Sequence, residues 1–247
     1  MSKEHTDKFI DLAAVTATLQ KTFNDNTNGE IWLTGLTKED KVIDWPLCSI
    51  MELAEALEST FYKHWKDIDK TIDKDNIEVE LTDVWHFVMS DLIRKCGGNM
   101  KMVAVELVKI FTRLETFNLK VAENDEELKV MFTRHSKELM YIILSYDLGK
   151  EHDLSDVIIK FLTILKMFKT FDFEEMYKLY IGKNALNVVR QMNGYKTGEY
   201  VKMWKGAEDN RVEDNVIMLE VVKSTNPSDL NFDDLVVLLD REYQDRK

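Results

Sequence analysis

Apolar residues recur at three- and four-residue spacing along most of this chain, the pattern of helices that bury one face. It predicts helices over 7–24, 46–66, 76–95, 99–118, 124–146, 154–169, 173–192 and 229–245. Pro46 suits a helix start, where its missing N–H costs little. Gly97 and Gly98 in "KCGGNM" read as a helix stop, and "NPSD" (226–229) as a turn and cap before the last helix. Alternation of period two never runs far, and "KVIDW" (41–45) is the best strand candidate. One stretch departs from the helical texture. "NGYKTGEYVKMWKGAEDN" (193–210) holds three of the nine glycines together with Lys196, Lys202 and Lys205. Glycines let a backbone approach an anion closely and lysines supply the charge, which makes this segment a lid candidate.

Composition agrees with the pattern. Two prolines and nine glycines in 247 residues leave few breakers, and a hydrophobic share of 45% supplies a core for one large domain or two small ones. The formal charge of −12 argues against nonspecific binding to nucleic acid or to an anionic membrane, though not against a small anion bridged by metal ions. Cys48 and Cys96 lack metal-ligand spacing, and two thiols make no disulfide framework. The charged start "MSKEHTDKFIDLAAV" is no signal peptide, and no apolar run reaches membrane length. These features lead to the expectation of a soluble, reduced, cytoplasmic helical protein.

The candidate chemistry lies in acidic pairs. In "MELAEALESTFYKHWK" (51–66), a helix places Glu52 and Glu55 on one face, followed by Ser59 and Lys63, while Leu53, Leu57 and Phe61 point towards a core. Among 45 acidic residues, roughly eight such pairs arise by chance, and Glu123/Glu126 is one with no evident use. A second pair lifts the first above that background. Glu80 and Asp83 share a face with Asn76 one turn before and Phe87 one turn after, opposite a core stripe of Leu81, Trp85, Val88 and Leu92. Two helices that each present two carboxylates can hold hard divalent cations through oxygen. Water alone can also solvate them.

Two polar groupings accompany the acids. In "YIGKNALNVVRQMNGYK", Lys183, Asn187 and Arg190 form a helical stripe that runs directly into the glycine- and lysine-containing segment, as a phosphate clamp would. Gln20 and Asn24 stand one turn apart near the N-terminus. Amides read uracil well, because that base requires a donor to its carbonyls and an acceptor for its N3–H.

Taken together, the ExxE pair, the ExxD pair followed by Trp-His-Phe, and the "YIGKNALNVVRQMNGYK" block resemble the dimeric all-α dUTPases of the wider all-α NTP pyrophosphatase group. The resemblance covers 19–32, 44–66, 76–91 and 176–210, and residues 97–170 match no motif of it. It implies a single all-α domain over 1–247, a multi-helix bundle with a four-carboxylate metal site between two helices and a mobile phosphate-binding segment at about 180–210. It implies hydrolysis of dUTP, and of dUDP, to dUMP with magnesium, two or more ions with manganese as a possible substitute, and a homodimer. On this resemblance Glu52, Glu55, Glu80 and Asp83 are the metal ligands. Glu55 is the first choice for activating water and Glu52 the second. Gln20, Asn24, Trp65 and Phe87 receive base and sugar, while Lys183, Asn187, Arg190, Tyr195, Lys196 and Lys202 hold phosphates. His86, off the carboxylate stripe, reads as structural. Two rival readings remain at this stage, an all-α pyrophosphatase for another nucleotide such as dCTP and a non-enzymatic helical interaction protein.

Overall fold

The periodicity becomes a helix at each predicted place, with the one predicted over 46–66 ending well short of its predicted end and residues 115–118 and 229–230 of two others lying outside the described residues. A computed structural model describes residues 3–63, 65–66, 71–114, 120–206, 210–225 and 231–247. Within them lie α1 (Lys3–Asn28), α2 (Trp45–Glu58), α3 (Lys74–Lys95), α4 (Met100–Leu114), α5 (Asp125–Asp147), α6 (Leu154–Leu165), α7 (Phe173–Met192), α8 (Asp214–Ser224) and α9 (Phe232–Arg246). Two strands, β1 (Met203–Lys205) and β2 (Arg211–Glu213), pair antiparallel. The fold is all-α but for this hairpin. Among the described residues no helix is long and apolar enough to cross a membrane.

Caps explain several helix starts. The Asp44 carboxylate accepts the Leu47 N–H at 2.9 Å, with Pro46 in the first turn where its ring fits. Asp73 does the same for Asn76 at 3.1 Å, and Asp153 forms a reciprocal capping box with Asp156. At the end of α3, Gly97 and Gly98 take φ of 60° and 75°, and their N–H groups bond back to Arg94 and Ile93.

Two expectations require correction. The helix predicted over 46–66 stops at Glu58, because the Thr60 hydroxyl donates back to the Leu57 carbonyl at 2.7 Å and Phe61 takes a left-handed φ of 48°. Lys63 is thus off the helix and pairs with Glu58. "KVIDW" forms no strand. Val42 makes a single bridge to Leu36, and Asp44 is already the cap of α2. The segment from 193 is folded up to Gly206. It contains a 3₁₀ turn (Tyr195–Thr197) and β1, whose Trp204 is fully buried. Strands of three residues are too short to register as alternation. Helix α8 was not anticipated. Residues 207–209 of the lid candidate and the "NPSD" turn lie outside the described residues.

The chain folds as two compact units, one ending at Met176 and the other running from Tyr177 to Lys247. In the first, α2 packs on α3 and α5, α1 on α3 and α4, and α6 on α4 and α5. Its centre is aromatic, with Trp85 stacked on Phe161 (5.4 Å) and edge-on to Phe173 (5.3 Å). In the second, α7 lies so close to α8 that a Cβ on Gly182 would stand 2.5 Å from Val222 Cγ2 and 2.8 Å from Met218 Sδ. Only glycine permits that approach. Tyr243 of α9 stacks on Tyr200 at 4.9 Å and leans on Trp204 at 5.5 Å, which anchors the hairpin.

Candidate active site

Helices α2 and α3 face each other along their polar rows, Glu52–Glu55–Ser59 on one and Asn76–Glu80–Asp83 on the other. Asn76 donates to the Ser59 hydroxyl at 2.7 Å and the Asp73 N–H bonds the Ser59 carbonyl at 2.9 Å, so the end of α2 is tied to the start of α3. This register brings Glu52, Glu80 and Asp83 together. Each offers one carboxylate oxygen within 4.8 Å of the other two. Glu80 is buried, and Glu52 and Asp83 are half-buried.

Ionised carboxylates this close repel in a low-dielectric cleft. A hard divalent cation reverses that, since oxygen ligands at about 2.1–2.5 Å from one ion lie up to roughly 4–5 Å apart. The donor set contains only oxygen, which suits magnesium or manganese better than a soft metal. The nearest thiol does not alter this. Burial, then Asp44 and Glu52, pushes the Cys48 pKa up, so the sulfur stays protonated.

Glu55 stands outside this trio. It is exposed and lines a cleft of about 410 Å³ with Glu58, Ser59, Lys63 and Asn76. Gln20 and Asn24 are buried on α1 and form a hydrogen-bonded chain with α3. His86 Nδ1 meets the Gln20 carbonyl oxygen at 2.7 Å, the Gln20 amide donates to Asn24 at 3.2 Å, and the Asn24 amide donates to Ser90 at 3.0 Å. With an amide oxygen as partner His86 Nδ1 donates, and the bond ties Gln20 of α1 to α3.

Phe87, one turn beyond Asp83, stacks on Trp45 at 5.9 Å, and Trp45 meets Trp32 edge-on at 6.5 Å. Trp65 is expected, with Phe87, to pack against base or sugar. That residue is 66% exposed beyond the end of α2, while Trp45 and Trp32 are buried.

The basic residues lie in the second unit. Arg190 donates from Nε and Nη2 to both oxygens of Asp214 at 2.8 Å, and also to Asn187 at 3.1 Å and Asn215 at 3.3 Å. Lys183 is buried and donates to Asn215 at 3.1 Å. Tyr200 donates to Asp214 at 2.8 Å, and both burial and that carboxylate hold its pKa well above the ordinary tyrosine value. Tyr195, beneath the Arg190 guanidinium at 5.9 Å, is exposed, as are Lys196 and Lys202. Lys202 lies 3.7 Å from Glu213. The stripe Lys183–Asn187–Arg190 is thus held by Asp214 and Asn215, which open a helix that the sequence reading did not assign. Their "EDN" before an apolar run was the available signal.

A search among curated proteins finds no match to this chain. The family model for dUTPase matches residues 13–195, a span that takes in α2, α3 and the helices α4 to α6, for which the motifs offered no reading.

Proposed function

The chain belongs to the dUTPase family, whose members hydrolyse dUTP, and from that premise we propose that it converts dUTP, and dUDP, to dUMP with magnesium, releasing pyrophosphate or phosphate. The observation that carries this reading is the convergence of Glu52, Glu80 and Asp83, one helical turn from Phe87. Those three carboxylates would hold the cations, magnesium first and manganese as substitute, with Glu55 as a further ligand. Held there, divalent ions would neutralise the phosphate chain and lower the pKa of a bound water.

Glu55, on the next turn of α2, takes the proton from the attacking water, with Glu52 as the other carboxylate able to do so. Gln20 and Asn24, hydrogen-bonded to His86 and Ser90, read the base. The Asn24 NH₂ has a second N–H beyond the one given to Ser90. Cytosine would leave such buried amides mismatched, a penalty of several kcal/mol in discrimination. Phe87 and Trp65 pack against base or sugar. Lys183, Asn187, Arg190, Tyr195, Lys196 and Lys202 take phosphate oxygens, and at Arg190 a phosphate competes with Asp214 for the same fork of donors. The homodimer and the cytoplasmic location belong to the same proposal.

The test is product analysis by phosphorus NMR with dUTP, dCTP, dTTP and UTP, each with magnesium and with chelator. Magnesium-dependent release of pyrophosphate from dUTP alone supports the reading. Preferred turnover of dCTP overturns the base assignment, and no turnover of any nucleotide overturns the whole.

A further inference from the structure

A second cleft, of about 580 Å³, lies beside the carboxylate cleft and shares Phe61 and Lys63 with it. Its other wall is α5, where Lys129, Thr133 and Lys137 recur at helical spacing with Val130 and Arg134 beside them. The lining carries four cations, Lys63, Lys129, Arg134 and Lys137, against one carboxylate, Glu126, and of the four only Lys63 is paired, with Glu58. In a chain of net charge −12 that local excess is unusual. Neighbouring cations are neutralised in place, Lys74 by Asp125, Lys120 by Glu127 and Lys160 by Glu138. No ion pair joins Lys129, Arg134 or Lys137 to a carboxylate among the described residues. The rim is apolar, with Tyr62 46% and Val130 66% exposed.

These features select the ligand by charge and length. Lys129 and Lys137 stand about 12 Å apart along the helix axis, too far for a single phosphate to engage both at short range. A chain of linked phosphates, met from each side by a flexible lysine stem, spans that distance. Arg134 between them offers the forked donors that phosphate oxygens accept in pairs. We propose that this cleft on α5 is an anion site for a chain of two or three linked phosphates, with Lys129, Arg134 and Lys137 as its charged wall and Tyr62 and Val130 as its rim. The chain can be inorganic or the tail of a nucleotide. The proposed site draws on none of the basic residues of α7 and needs no divalent cation.

The experiment uses the full chain in chelator, so that cation-dependent binding at the carboxylates is silent. Inorganic tripolyphosphate is titrated while acetylation of individual lysines is followed by mass spectrometry and affinity by calorimetry. The expected result is at least a threefold slowing of modification at Lys129 and Lys137, with exposed Lys41 unchanged. Affinity should fall about tenfold or more in the Arg134→Ala/Lys137→Ala variant, whose substitutions lie on an exposed face, with folding checked by circular dichroism. Glu80→Gln should retain the protection while losing turnover, which separates failure of this site from failure of the hydrolytic reading. A non-hydrolysable dUTP analogue forms the second arm. Equal protection assigns the site to the phosphate chain alone, and stronger protection that Tyr62→Ala reduces assigns it to a nucleotide tail. Either outcome upholds the site. No protection by either probe, or wild-type affinity in the double variant, overturns it.

Discussion

Asp214 is fully buried and accepts three hydrogen bonds at 2.8 Å, two from Arg190 and one from Tyr200. Replacing it with alanine removes the counter-charge of an arginine whose side chain is itself only 12% exposed. Arg190 keeps the Asn187 and Asn215 carbonyls, but neutral acceptors do not replace a carboxylate. Breaking a buried pair from one side costs about 3–5 kcal/mol, and partial access of water to Arg190 places the expected loss near 3 kcal/mol. Arg190→Ala should cost a similar amount by leaving Asp214 charged and buried. The double variant leaves neither charge stranded, so its loss should fall short of the sum by about 2 kcal/mol or more. Urea unfolding followed by far-ultraviolet circular dichroism measures all three. For a slope of about 3 kcal/mol/M, each single substitution should lower the midpoint by about 1 M. A coupling below about 0.5 kcal/mol would refute the view that this pair organises the basic face of α7.

Other consequences follow from the same packing and charges. Gly182→Ala should lower stability by about 1–2 kcal/mol, because overpacking against Val222 and Met218 outweighs a helix-propensity gain of about 1 kcal/mol. Adding Val222→Ala should recover part of that loss in thermal unfolding, and a purely additive double variant would contradict the steric account. His135 titrates below the ordinary 6.5, chiefly through burial and then through the Lys160 ammonium. The unfolded chain therefore takes up that proton first, so stability present above pH 6.5 should decline as pH falls towards the folded value. His135→Asn should flatten the fall in urea midpoint between pH 7.5 and 5.5, and an unchanged slope would remove His135 as its cause. Magnesium at about 100 times its Kd should raise wild-type stability by about 2.7 kcal/mol in a thermal-shift assay. Asp83→Asn should lose most of that rise, whereas an equal rise would place the ion elsewhere.

The sequence made the helices of the first unit legible because each buries a stripe at regular spacing. It also made Glu80, Asp83 and Phe87 legible as one face of α3, since that helix continues unbroken from Lys74 to Lys95. It misled where local chemistry overrode periodicity. The left-handed Phe61 ends α2 early, so Lys63 leaves the face to which spacing assigned it. The partners of candidate site residues were also hidden, being distant in sequence. His86 bonds Gln20 across 66 positions, and Asp214 holds Arg190 across 24. Trp45 could not be recognised as the ring beneath Phe87 without knowing that Asp44 caps a helix. The separation of Glu55 from the Glu52, Glu80 and Asp83 group depends on how two helices are set against each other, which no single-helix pattern contains.

The central claim is that Glu52, Glu80 and Asp83 hold the cations on which dUTP hydrolysis depends. The most direct measurement is initial-rate dUTP turnover across a magnesium titration, in the wild type and in Glu80→Gln and Asp83→Asn. Turnover should rise with magnesium and vanish in chelator, and should fall at least about 100-fold in either variant. Turnover that persists in chelator, or variants that match the wild type, would contradict the claim.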